Sequence, residues 1–132
     1  MQENTAASWL LDTSILVDLL RGSAKARTWI DSVPEARRFI SVITAAELIA
    51  GCDNRSEQRA VELEIESYAM LWLSKNISQA AIAFYKRFHL SHRVGFFDCL
   101  IAATARENNL GVGTLNTKHF APLPNLQVAK PY

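Results

Sequence analysis

Short apolar runs that break off where helical spacing begins recur along this chain, and that alternation limits the folds open to it. Ser8-Trp9-Leu10-Leu11 is too brief for a helix and suits a buried strand; beyond Asp12, the residues Ile15, Leu16, Leu19 and Leu20 recur at helical spacing until Arg21-Gly22. Arg38–Val42 is the next strand-like run, and Ile43–Ala50 reads as a helix stopped by Gly51. Met70–Leu73 is the third run, followed by a turn at Ser74-Lys75-Asn76 and a helix that Ser78 caps and that continues through Phe88. The apolar stretch Gly95–Ala105 predicts a helix ending at Asn108-Asn109-Leu110-Gly111, and Val112–Leu115 and Leu126–Val128 are the last strands. Ser23–Asp31 and the charged segment Asn54–Ser67 add two further helices. With no repeat or linker, this order predicts one domain over residues 1–132, an α/β fold with helices on both faces of a mostly parallel sheet.

Against that frame three acids are out of place. Asp98 lies in a helix whose neighbours Phe96, Phe97, Leu100, Ile101, Ala102 and Ala105 are apolar, and an ionised carboxylate beside such a surface needs a partner. Glu47 is set among Ala45, Ala46, Leu48 and Ile49. Asp12 stands where a strand ends and a helix begins, the place at which open α/β sheets build their sites. Each has a plainer reading: Asp12 as an N-cap, Asp98 as a first-turn acid facing the helix dipole, Glu47 as a surface residue of a good helix former.

Other features point nowhere in particular. The charged fraction of 20% and the net charge of +1 neither require nor exclude nucleic acid. Lys86, Arg87, His89, His92 and Arg93 form the local basic excess, read either as a solvated helix end or as a phosphate-binding patch. Asp18 and Arg21 read as a solvated pair, and Cys52 and Cys99 as reduced thiols. Met1-Gln2-Glu3-Asn4 has neither a basic nor an apolar leader segment, and no apolar run approaches the length of about 18 residues that spans a membrane, so a cytoplasmic protein is expected.

Right-handed crossovers bring the carboxyl ends of parallel strands to one edge, where Asp12, Glu47, Asp98 and Asn116 would converge. Two carboxylates at ~5 Å repel by roughly 3 kcal/mol at an effective dielectric of about 20, and a divalent ion reverses that sign. Oxygen ligands without thiol or imidazole select Mg²⁺ or Mn²⁺ over zinc, and such ions serve phosphodiester hydrolysis. No Ser-His-Asp spacing, Walker loop or GxGxxG fingerprint competes.

Four segments then carry a likeness over essentially the whole chain: Leu10–Ser14, Ser41–Gly51, Phe97–Ala105 and Thr114–Phe120. Together, in this order, they resemble PIN-domain ribonucleases, and within that family the VapC toxins of type II toxin-antitoxin systems. The resemblance implies a PIN-like three-layer α/β/α sandwich, an Mg²⁺- or Mn²⁺-dependent endoribonuclease acting on RNA, a homodimer, and a VapB-like antitoxin that blocks the acidic site. By position, Asp12, Glu47 and Asp98 match the family's metal-binding acids. Asn116 falls where many members have a fourth acid and some have Asn; its amide can support a metal or its water but supplies no charge. Thr13, Ser14 and Thr114 match positions near the site, and each equally suits a cap. The alternatives are a PIN nuclease of RNA maturation without an antitoxin, a receiver-like signalling domain, and a catalytically silent binding module.

Overall fold

The computed structural model describes residues 8–132; the segment Met1–Asn4, read above as neither a basic nor an apolar leader, lies outside the described residues. Five strands, β1 (Trp9–Leu11), β2 (Arg38–Ser41), β3 (Ala69–Leu71), β4 (Gly111–Gly113) and β5 (Val128–Ala129), form one sheet in the order β3-β2-β1-β4-β5. Every strand pair is parallel. Two helices, α1 (Thr13–Leu20) and α2 (Ala24–Ser32), connect β1 to β2; α3 (Val42–Ala50) and α4 (Arg55–Ile65) connect β2 to β3; α5 (Lys75–His92) and α6 (Phe96–Glu107) connect β3 to β4.

Adjacent residues of a strand point to opposite faces, and β1 shows what this does to the core. Leu10 joins a cluster with Ala81, Phe84, Phe88 and Ile101 from α5 and α6, whereas Leu11 joins Ile15, Leu16, Ile30 and Leu48 from α1, α2 and α3. The result is the expected three-layer sandwich. It places Asp12 at the end of the central strand. Among the described residues no helix is long and apolar enough to cross a membrane.

The boundaries differ from the sequence reading where side chains outside the periodic pattern decide them. Val42 starts α3 instead of ending β2, because the buried Ser41 hydroxyl accepts hydrogen bonds from the amides of Ile43 and Thr44 and so caps the helix one residue early. Ser78 is interior to α5. The cap is Ser74, whose hydroxyl accepts from the Ile77 amide at 3.1 Å, so the expected turn at Lys75-Asn76 is the first helical turn. Trp72 and Leu73 lie beyond β3, and Thr114 and Leu115 beyond β4. Asp18 does not pair with Arg21; its Oδ2 accepts from the Tyr132 hydroxyl at 2.8 Å. Both cysteines are free.

Candidate active site

The carboxyl edge of the sheet is built by three strand ends. Asp12 occupies the N-cap position of α1, but its carboxylate caps nothing: the side chain makes no hydrogen bond to the helix amides. Instead Oδ2 accepts from the Ser14 hydroxyl at 2.9 Å and from Thr114 Oγ1 at 2.8 Å. The residue is only 5% exposed, and no donor among the described residues reaches Oδ1. Two hydroxyls thus hold one oxygen of a buried carboxylate while no described residue donates to the other, an arrangement that a cation would complete.

Those hydroxyls are themselves fixed. Ser14 Oγ accepts from the Leu115 amide at 3.1 Å, and Thr114 Oγ1 accepts from the Asn116 amide at 2.9 Å. The Asp12 amide in turn donates to Gly113 O at 2.8 Å, which extends the β1 to β4 pairing to the acid itself. Gly113 has a steric reason: a Cβ there would stand 2.7 Å from Trp29 Cη2.

Glu47 projects from the middle of α3 and is exposed, yet it is not an idle surface residue. Thr13 Oγ1 donates to its Oε1 at 2.6 Å and lies 3.0 Å from the Oγ1 of the fully buried Thr44. Asp98 sits in the first turn of α6, behind Gly95. Its carboxyl is held above the ordinary carboxylate value first by burial and further by the charges of Asp12 and Glu47; His119 and a backbone hydrogen bond from Gly95 act the other way. The first-turn role therefore exists, but it is outweighed. Within this acidic edge His119 Nδ1 stands 3.2 Å from Asp98 Oδ2.

The charges of Asp12 and Glu47 thus both oppose the ionisation of Asp98. The three acids do not close on a common point: among the described residues no three His, Cys, Asp or Glu side chains stand as a ready metal cage. Asn116 lies at the same edge, before the 3₁₀ turn Thr117–His119, but its side-chain amide makes no hydrogen bond among the described residues. The donor set nonetheless fits a hard divalent cation, because it consists of carboxylate oxygens, one of them on the buried Asp12 and without a donor among the described residues, and a cation would remove the repulsion that Asp98 meets from the other two acids. A receiver-like site fits less well, since β1 ends on a single acid and Asp98 belongs to a helix.

Two residues of this edge were not singled out from the sequence. Thr44 looks like any helix Thr, and its contact with Thr13 spans 31 positions. His119 follows the strand end in Asn116-Thr117-Lys118-His119, but no local pattern tells which helix that turn folds against.

The chain matches the sequence model of the PIN domain over residues 9–122. It is 36% identical over 120 residues to Ribonuclease VapC10 of Mycobacterium tuberculosis, covering 89% of this chain and 90% of that one. It is 32% identical over 130 residues to Ribonuclease VapC of Rickettsia bellii, covering 90% and 92%. Among solved structures it resembles a toxin-antitoxin complex from Klebsiella pneumoniae, with TM-score 0.81 and 29% identity over 95% of this chain and 98% of that chain. It also resembles VapBC-1 from Haemophilus influenzae, with TM-score 0.80 and 28% identity over 93% and 97%. Matched along nearly its whole length by the family model and by these relatives, the chain belongs to the PIN-domain family, among the VapC ribonucleases.

Proposed function

We propose that this protein is an endoribonuclease toxin of a VapBC-type system, dependent on Mg²⁺ or Mn²⁺, active in the cytoplasm and neutralised by a VapB-like antitoxin. The observation that carries the reading is the state of Asp98: a half-buried carboxylate, opposed by the charges of Asp12 and Glu47, at the same edge as the buried Asp12, whose Oδ1 has no donor among the described residues. The relatives named as VapC ribonucleases, and the toxin-antitoxin complexes that share the fold, supply the substrate class and the partner. A homodimer is part of the same reading.

Asp12, Glu47 and Asp98 would hold the cation, with Asn116 as a neutral support. A divalent ion supplies charge that offsets the negative charge developing on phosphorus and makes water a better nucleophile at neutral pH. The protein's own part is orientation. Ser14 and Thr114 fix Asp12 through its Oδ2, which leaves Oδ1 for a cation, and Thr13 tethers the exposed side chain of Glu47.

The test is to sequence RNA ends after brief induction of the wild type and of Asp98→Asn, and to repeat cleavage with purified protein with Mg²⁺ and with a chelator. New ends that appear only with the wild type, and only with the divalent ion, support the proposal. Identical ends in both strains, or cleavage undiminished by chelation, overturn it.

A further inference from the structure

The first turn of α6 presents two phenylalanines in opposite situations. Phe96 turns inward, its ring 5.5 Å from that of Tyr85 in an edge-on contact. Phe97, the residue before Asp98, is 56% exposed and has no ring partner among the described residues. Leaving such a ring in water forgoes burial that a helix one residue out of phase would have gained.

Basic residues lie on the two elements that adjoin this turn. Arg93, exposed and left-handed at φ 53, links the end of α5 to this turn, and α5 carries Lys86 and Arg87 but no acid. On the other side, His119 reaches Asp98, which brings the exposed Lys118 of the same 3₁₀ turn to this edge. An exposed ring beside Asp98, on a turn that follows one basic helix end and meets the turn carrying Lys118, suits a polyanion with stacking faces, because phosphates take the cations and a base takes the ring. A twofold contact between copies centred on Phe97 would instead set the same cations against one another. Trp72, more exposed still at 68%, follows the edge strand β3, two strands from Asp12.

We infer that Phe97 is a stacking platform for an unpaired base of the RNA, next to the phosphate placed at Asp98, with Arg93 and Lys118 holding neighbouring phosphates. The inference rests on the ribonuclease reading and assigns Phe97 a share in substrate positioning, not in the chemical step.

The experiment measures binding of a fluorescein-labelled single-stranded oligoribonucleotide of mixed sequence by anisotropy in the Asp98→Asn background, where the probe survives. Stacking is replaced by an indole in Phe97→Trp and removed at nearly constant apolar size in Phe97→Leu. The expected result is unchanged or tighter binding for Trp and a loss of about 5- to 100-fold for Leu, with both variants sedimenting like their parent. Equal affinity in the Leu variant, or a changed oligomeric state with affinity intact, overturns the platform and in the latter case points to a contact between copies. With Asp98 restored, a wild type that binds the probe without cutting it refutes the ribonuclease reading alone. A wild type that cuts while Phe97→Leu still binds normally refutes the platform alone.

Discussion

Thr114 donates a hydrogen bond of 2.8 Å to Asp12 Oδ2 across 102 positions of sequence, tying the end of β4 to the acid at the end of β1. Both residues are buried, and Thr114 is completely so. Thr114→Val keeps the shape and removes the donor, which leaves Asp12 with Ser14 alone and the Asn116 amide without its acceptor. The expected cost is about 1.5–3 kcal/mol in urea unfolding, the range for a bond to a charged group. Divalent-ion affinity should fall about 10- to 100-fold, as for other residues that orient a ligand.

Asp98 links pH to stability with a definite sign. Its folded-state value is raised, chiefly by burial, so the native protein binds a proton more readily there than the unfolded chain does. That contribution is complete below the ordinary carboxylate value near pH 4 and is lost as pH rises through the raised one. Thermal melts in a chelator between about pH 4 and neutrality should show the wild type losing stability that Asp98→Asn retains. A variant clearly less stable than the wild type at neutral pH would mean that the bonds to Gly95 and His119 outweigh burial and repulsion.

Gly113 also sets the position of Asp12, through the backbone. Its carbonyl accepts from the Asp12 amide, and a Cβ would press on the ring of Trp29, itself 5.9 Å from Trp9 in an edge-on contact. Gly113→Ala should cost about 1–3 kcal/mol through overpacking and lower cleavage together with stability. Calorimetric unfolding and a cleavage assay on the same preparation check it.

The layers and the acids were legible in the sequence because each rests on a local signal. Leu10-Leu11 is an apolar run too short for a helix, and an acid such as Asp98 among Phe97, Leu100 and Ile101 is conspicuous whatever the fold. What could not be read is what depends on hydroxyls and on distance along the chain. The difference between Ser74 and Ser78 as a cap is a single hydrogen bond to the Ile77 amide. The tether from Thr13 to Glu47 and the approach of His119 to Asp98 exist only once α1 meets α3 and the turn after β4 meets α6.

The cap offers its own check. Ser74→Ala should destabilise the protein by about 0.5–2 kcal/mol, whereas Ser78→Ala, within α5, should be neutral or slightly stabilising. Paired urea titrations decide between them, and the reverse order would restore the shorter helix expected from periodicity.

Titration calorimetry with Mn²⁺ on the wild type and on Asp12→Asn, Glu47→Gln and Asp98→Asn tests most directly whether these three acids share a cation. Binding by the wild type that falls at least tenfold in each variant is the predicted result. Binding of equal strength in all four proteins, or none in the wild type, would contradict it.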